Sequence, residues 1–184
     1  MKIINFLKTR FRKWLNEEIW LKDYIKAGLK VGSNCNIHSG VVFDISHCWL
    51  IEIGNNVTIA PFTYFLAHDA STQNKLNYTK IGKVIVEDNV FIGARSIVLA
   101  GVTIGENSII AAGSVISKSI PANSVFGGNP VKYIMSTDEL IDKHKDLIKN
   151  AKVYDESWLI NSKITNEMKY QMSIDLENKM GYIV

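Results

Sequence analysis

The sequence predicts an all-β core wound as a coil of short strands, on the strength of three observations. Aliphatic residues or Phe recur at every sixth position: Val31, Ile37 and Phe43; Ile53, Ile59 and Phe65; Val86, Ile92 and Val98; Ile104, Ile110 and Ile116. Four residues after most of these the side chain is small or β-branched, at Cys35, Val41, Val57, Thr63, Val90, Ser96, Val102, Ser108 and Ser114, with His47, Asp69 and Ile120 outside the rule. Gly, Asn and Asp fall where each turn must lie, as in Gly54-Asn55-Asn56, Asp88-Asn89 and Gly105-Glu106-Asn107, and these residues tolerate left-handed backbone angles. A period of six is neither the 3.6 of an amphipathic helix nor a two-residue alternation, so the repeating unit is a flat strand followed by a tight turn. Three units close a triangular coil of about eighteen residues, and stacked coils bury the aliphatic rows as one column.

Taken in chain order, residues 1–28 read as an N-terminal helical cap, 29–134 as the coil, and 135–184 as a C-terminal helical extension. Open coil ends expose unpaired strand edges and need covering. The segment 2–26 suits that task, with Ile4, Leu7, Phe11, Trp14 and Leu15 on an apolar stripe between basic residues; docking on a membrane surface is the competing reading of the same stripe, which Glu17, Glu18 and Asp23 dilute. Beyond the coil, Ser136 and Glu139 form a capping box for a helix to about residue 150, and a second helix is expected over 166–179.

The bulk composition excludes several classes. A net charge of +3 provides no broad nucleic-acid surface but suffices for a small anion. Met1 to Leu7 is too short an apolar run for a signal peptide, no stretch can span a bilayer, and the expected compartment is the cytoplasm. Cys35 and Cys48 lack the spacing of a zinc or redox pair and read as free thiols.

Ile92-Gly93-Ala94, Gly101-Val102-Thr103-Ile104-Gly105, Ala112-Gly113-Ser114-Val115, Ser117-Lys118 and Gly128-Asn129-Pro130-Val131-Lys132 resemble the hexapeptide-repeat acetyltransferases, which include the maltose, galactoside, xenobiotic and serine O-acetyltransferases; the likeness runs from about Val31 to Ile134. The resemblance implies a left-handed parallel β-helix, against the right-handed rule for parallel crossovers. It further implies acetyl-CoA as co-substrate and a homotrimer with active sites between subunits. The acceptor it suggests is the hydroxyl of a sugar or polysaccharide precursor; an amino sugar, an amino acid or a xenobiotic is the alternative, and a non-catalytic scaffold the third reading.

Two breaks in the repeat bear on the site. Four extra residues, Trp49 to Glu52, are absorbed by a bulge or a widened corner, while 71–85 must leave the coil as a loop, with Ala67-His68-Asp69-Ala70 at its root. Taken alone, His68 is as well explained by a hydrated corner histidine; the resemblance assigns it as the base that deprotonates the acceptor. Asp44 and Asp69 are candidates to orient the imidazole or the acceptor hydroxyls, or else turn residues. By the same resemblance Ala94, Ala112, Ser117, Lys118 and Lys132 hold CoA, with Lys118 and Lys132 otherwise ordinary solvated charges, and Met135 stands where one relative has a second basic residue. No metal is expected, because the anhydrase version of the coil needs three converging His ligands, and His38, His47, His68 and His144 lack that spacing.

Overall fold

The computed structural model describes residues 19–184, so most of the expected N-terminal cap lies outside the described residues. These fall into two compact units divided between Thr137 and Asp138.

The first unit is built on three parallel sheets of very short strands. Lys30–Val31, Ile51–Ile53, Val84–Val86 and Thr103–Ile104 form the first sheet. The second contains Asn36–Ile37, Thr58–Ile59, Phe91–Ile92, Ile109–Ile110 and Ser124–Gly127, and the third Val42–Phe43, Tyr64–Phe65, Ile97–Val98 and Val115–Ile116. The chain visits the three in rotation, and each strand pairs with the one a full coil away. Ile53, Val86 and Ile104 are in register, as are Ile59, Ile92 and Ile110, and Phe65, Val98 and Ile116. Every sixth residue from Phe43 to Phe65 and from Val86 to Ile116 that the repeat assigns inward is therefore buried in one continuous column.

The polar members of the inner rows are satisfied locally. Ser96 Oγ donates to the Gly93 carbonyl at 2.7 Å, Ser108 Oγ to the Pro121 carbonyl at 2.8 Å and Thr63 Oγ1 to the Ala60 carbonyl at 2.9 Å. Such bonds remove the penalty that a buried, unpaired hydroxyl carries. At one end of the column Phe65 stacks on Phe43 at 4.9 Å, and Tyr24, from the helix Leu21–Lys26, meets Phe43 edge-on at 5.3 Å. At the other end Ser124–Gly127 pairs with the antiparallel strand Lys132–Ser136.

The three corners of the coil differ. Between the first and second sheets every turn has an asparagine in the left-handed region: Asn34, Asn56, Asn89, Asn107 and Asn123, with φ between 55° and 58°. Their side chains are bonded head to tail, Nδ2 to Oδ1, at 3.4, 3.1, 3.1 and 3.0 Å in order along the coil. Between the second and third sheets the left-handed position is held by Gly40, Phe62, Arg95 and Gly113. Stacking is tight there, since a Cβ on Gly93 would lie 2.4 Å from the Ala112 nitrogen.

The third corner, from the third sheet back to the first, is irregular. There the chain makes a 3-10 segment, Ile45–Leu50, and later a longer excursion after Phe65. That excursion is shorter than the expected loop over 71–85. The pair His68–Asp69 and Lys80–Ile81 closes its base as an antiparallel ladder, and Val84–Val86 is already coil strand, because Val84, Ile85 and Val86 pair with Ile51, Glu52 and Ile53.

The helix Thr137–Ile148 starts at the last residue of the first unit and continues in the second, which also carries the helix Asn166–Asp175, whose N-cap Thr165 accepts from the Met168 N–H at 3.2 Å. The second unit is not purely helical, as the sequence reading had it. Lys152–Tyr154 and Gly181–Ile183 form a parallel strand pair, and Tyr154 is buried with its hydroxyl 3.2 Å from Asp175. These two short strands lie far apart in sequence, so local periodicity carries no sign of them. Among the described residues no helix is long and apolar enough to cross a membrane.

Candidate active site

The irregular corner brings Asp44, His47 and His68 together. Asp44 is buried and caps the 3-10 segment, its Oδ1 accepting from the Ser46 N–H at 3.1 Å. Its Oδ2 accepts from the Ala67 N–H at 3.1 Å and forms a short hydrogen bond with His68 Nδ1. The carboxylate thus bridges two coils, and its three bonds offset the cost of burying a charge. The His68 side chain remains one-third exposed. With Nδ1 committed to Asp44, Nε2 is the ring nitrogen left for a ligand.

Asp69 does not join this pair. Its Oδ1 accepts from the Ser71 N–H at 2.9 Å, which holds its carboxyl below the usual range and makes it the turn residue that starts the excursion. The sequence reading named His47 only as an exception to the inner row and among histidines lacking the spacing of a metal site. The His47 ring lies 5.1 Å from the His68 ring, and its buried Nδ1 has no hydrogen-bond partner, standing 3.8 Å from Asp44 Oδ2. An unpaired buried nitrogen costs about 1–3 kcal/mol. The segment that supplies both Asp44 and His47 runs directly into the break at Trp49 to Glu52, read from sequence as a bulge or a widened corner. Cys48, next along, donates its thiol to the Asp44 carbonyl at 3.1 Å. Burial, reinforced by the Asp44 charge, pushes that thiol above its ordinary pKa, so it is no nucleophile.

An open hollow of about 410 Å³ adjoins His68, lined also by Leu66, Asp69, Lys80, Leu99 and Ala100. A larger one, about 660 Å³, lies on the first sheet among Glu52, Glu87, Asp88 and Glu106; its carboxylates repel the phosphates of a CoA, so size is a poor guide here.

The residues expected to hold CoA are all on the coil, at different places. Phe65, Val98 and Ile116 are in register, so Ser117 and Lys118 occupy the same corner as His68, two strands further along the axis. Two strand spacings are roughly 10 Å. Lys132 follows Val131, whose N–H donates to the Val115 carbonyl at 3.2 Å, and opens the antiparallel strand of the second sheet opposite Gly127. Ser117, Lys118 and Lys132 are exposed, and neither lysine makes an ion pair with the described residues. Ala94 and Ala112 lie at the other edge of that sheet, where the Ala94 carbonyl accepts from the Gly113 N–H at 2.8 Å.

A triangular parallel coil with an Asp–His pair at its broken corner and the exposed Lys118 further along that corner fits the class that the comparisons show: the chain belongs to the hexapeptide-repeat acetyltransferases, and it is an acetyltransferase. Residues 83–118 match the hexapeptide repeat of succinyl-transferases. The chain is 36% identical to Protein CapG of Staphylococcus aureus, over 94% of this chain and 96% of that one. A hexapeptide-repeat acetyltransferase of Vibrio cholerae, crystallised with acetyl coenzyme A, is 30% identical with a TM-score of 0.54, covering 59% of this chain and 60% of its own. A maltose O-acetyltransferase of Clostridium difficile is 29% identical with a TM-score of 0.51, covering 61% of this chain and 72% of its own. Membership of this family gives the coil its left-handed sense.

Proposed function

We propose that the protein transfers an acetyl group from acetyl-CoA directly to a hydroxyl of a sugar or polysaccharide precursor, with His68 as general base and Asp44 as its positioning partner. The observation that carries this is the buried Asp44 carboxylate on His68 Nδ1, which fixes the tautomer whose Nε2 lone pair accepts a proton. Acetyl-CoA is supported by the Vibrio cholerae relative crystallised with it, and a sugar acceptor by the relative named for maltose.

In the forward step the acceptor O–H gives its proton to His68 Nε2 while its oxygen bonds to the thioester carbonyl carbon. Asp44 stabilises the imidazolium that forms. Collapse of the tetrahedral species breaks the carbon–sulfur bond, and the leaving thiolate recovers the proton from Nε2, giving the acetyl ester and free CoA thiol. Lys118 and Lys132 meet the CoA phosphates, Ala94, Ala112 and Ser117 flank its pantetheine arm, and Asp69 shapes the mouth of the hollow. A convex column has no deep pocket, so the complete site forms where two columns of a homotrimer pack side by side, His68 of one facing the CoA coils of the next.

Thiol release from acetyl-CoA in the presence of a panel of sugars, sugar nucleotides and amino acids tests the reading. Release that depends on a sugar hydroxyl is the expected result. Preferential turnover of amines or amino acids would overturn the acceptor class, and absence of any thermal shift with millimolar acetyl-CoA would favour a scaffold.

A further inference from the structure

His47 has no part in the acyl transfer described above, yet it is held beside the reacting pair. The 3-10 segment departs from helical angles at His47, with φ −140° and ψ 33°, and the ring is flanked by Trp49 at 5.5 Å and His68 at 5.1 Å. Its Nδ1 is buried without a hydrogen-bond partner. One ligand atom each from Asp44, His47 and His68 lies within 4.8 Å of the other two.

Two imidazole nitrogens and a carboxylate oxygen are the donor set of a four-coordinate zinc-like ion with one position open. Ligands about 2.0–2.2 Å from such an ion stand roughly 3.4 Å apart around a tetrahedron. His47 Nδ1 and Asp44 Oδ2, 3.8 Å apart, are near that spacing already. His68 Nδ1 and the carboxylate, now in a direct hydrogen bond, must part slightly to reach it. The second Asp44 oxygen and the Ala67 amide keep the carboxylate oriented, as outer-shell bonds do for metal ligands.

We infer that Asp44 Oδ2, His47 Nδ1 and His68 Nδ1 form a reversible site for a divalent zinc-like cation, and that its occupation silences the transferase. A metal on Nδ1 takes the lone pair there and leaves the single imidazole proton on Nε2, which then cannot accept the acceptor's proton. The binding half stands on geometry alone; the silencing half rests on His68 being the base.

The test uses the full chain, stripped of metal and titrated with Co²⁺. A visible d–d band saturating at one equivalent per chain, displaced by Zn²⁺, is expected, with paramagnetic shifts on the ring protons of both His47 and His68. Acetyl transfer should fall in step with Zn²⁺ occupancy and return with chelator. His47→Gln and His47→Phe should weaken Co²⁺ binding by at least about a hundredfold, since losing an outer-shell partner alone costs up to that much, and keep metal-free turnover while resisting Zn²⁺. No band at excess Co²⁺, or a band and His68 ring shifts unchanged in both variants, overturns the site. Full occupancy with undiminished turnover overturns the silencing. Should metal-free His68→Ala retain turnover, the base reading alone fails, and the cobalt spectrum still decides the binding.

Discussion

The corner built on asparagines and the corner that carries Asp44 and His68 are made by the same coil, yet they spend their side chains in opposite ways. At the first, five turns repeat one backbone conformation, so identical side chains stack and each amide bonds to the next. Along that ladder each amide is engaged by the next. At the second, no two successive turns are alike: a 3-10 segment, an excursion with its own antiparallel ladder, and a short turn at Gly101 follow one another. Mismatch prevents a ladder, and the side chains released by it, Asp44, His47 and His68, converge across coils instead. Regularity stabilises the column, and its local loss brings together the candidate site.

The largest effects should come from the irregular corner. His68→Ala is expected to lower turnover by roughly a hundredfold to ten-thousandfold, the scale of a lost general base, with the acetyl-CoA dissociation constant unchanged. Asp44→Asn should lower turnover by a smaller factor and leave the Michaelis constant for acetyl-CoA alone, because it weakens support of the imidazolium without touching CoA. Steady-state kinetics with a calorimetric measurement of CoA binding separates the two, and wild-type turnover in either variant would break the contrast between the corners. Further along, Lys118→Ala with Lys132→Ala should raise the acetyl-CoA Michaelis constant, more at low salt than at high, since screening over about 10 Å at 0.1 M weakens exposed phosphate contacts. Equal kinetics at both salts would return these lysines to solvated bystanders.

How much of this was legible in sequence follows from the same contrast. The repeat could be read because each inward position depends only on its own phase, and the buried rows from Phe43 through Ile116 are those it assigns. The turns could be read because Asn and Gly mark left-handed angles locally; Phe62 and Arg95 adopt those angles without that marking. The break in the repeat drew attention to His68 at its root, and the family resemblance made it the candidate base. The Asp44–His68 contact spans 24 positions, and no pattern distinguishes Asp44 from Asp69, which the chain uses for a turn. His47 was passed over for a physical reason as well: the four residues that break the repeat give a length, whereas the aim of a ring depends on how a 3-10 segment kinks. The parallel strand pair of the second unit escaped because two three-residue strands have no periodicity to detect.

The asparagine corner predicts a smaller effect, on stability only. Asn89 accepts from Asn56, donates to Asn107 and holds φ at 58°. Asn89→Ala removes both amide bonds and places a residue with no local compensation in the left-handed region, for a loss of about 1–2 kcal/mol. Asn89→Gly removes the same bonds while relieving the backbone, so it should cost less than Ala. Denaturant midpoints rank the three proteins, and Gly falling below Ala would show that the left-handed angle carries little strain at this turn. Turnover per folded chain should be unaffected in both.

The smallest expected effect is a dependence on pH at the edge of that corner. Asp88 Oδ1 accepts from the Asn55 N–H at 2.7 Å, and the Asn55 amide also reaches the carboxylate, at 3.2 and 3.3 Å. The backbone bond, followed by the side-chain bond, lowers the Asp88 pKa below its ordinary 3.8. A carboxyl whose folded pKa is depressed contributes stability that is fully present above the unfolded value and is lost as pH falls through the folded one. The window therefore lies from just above 3.8 downward, well clear of neutral pH. Asp88→Asn should leave the thermal midpoint at pH 7 slightly reduced and flatten its fall below pH 4, because an amide oxygen accepts the Asn55 N–H but does not titrate. The carboxylate is exposed, so screening by solvent keeps the difference small. An unchanged slope below pH 4 in the variant would assign the acid sensitivity of the coil to other carboxylates, of which Glu52, hydrogen-bonded to Lys30 at 2.9 Å and likewise depressed, is the next to replace.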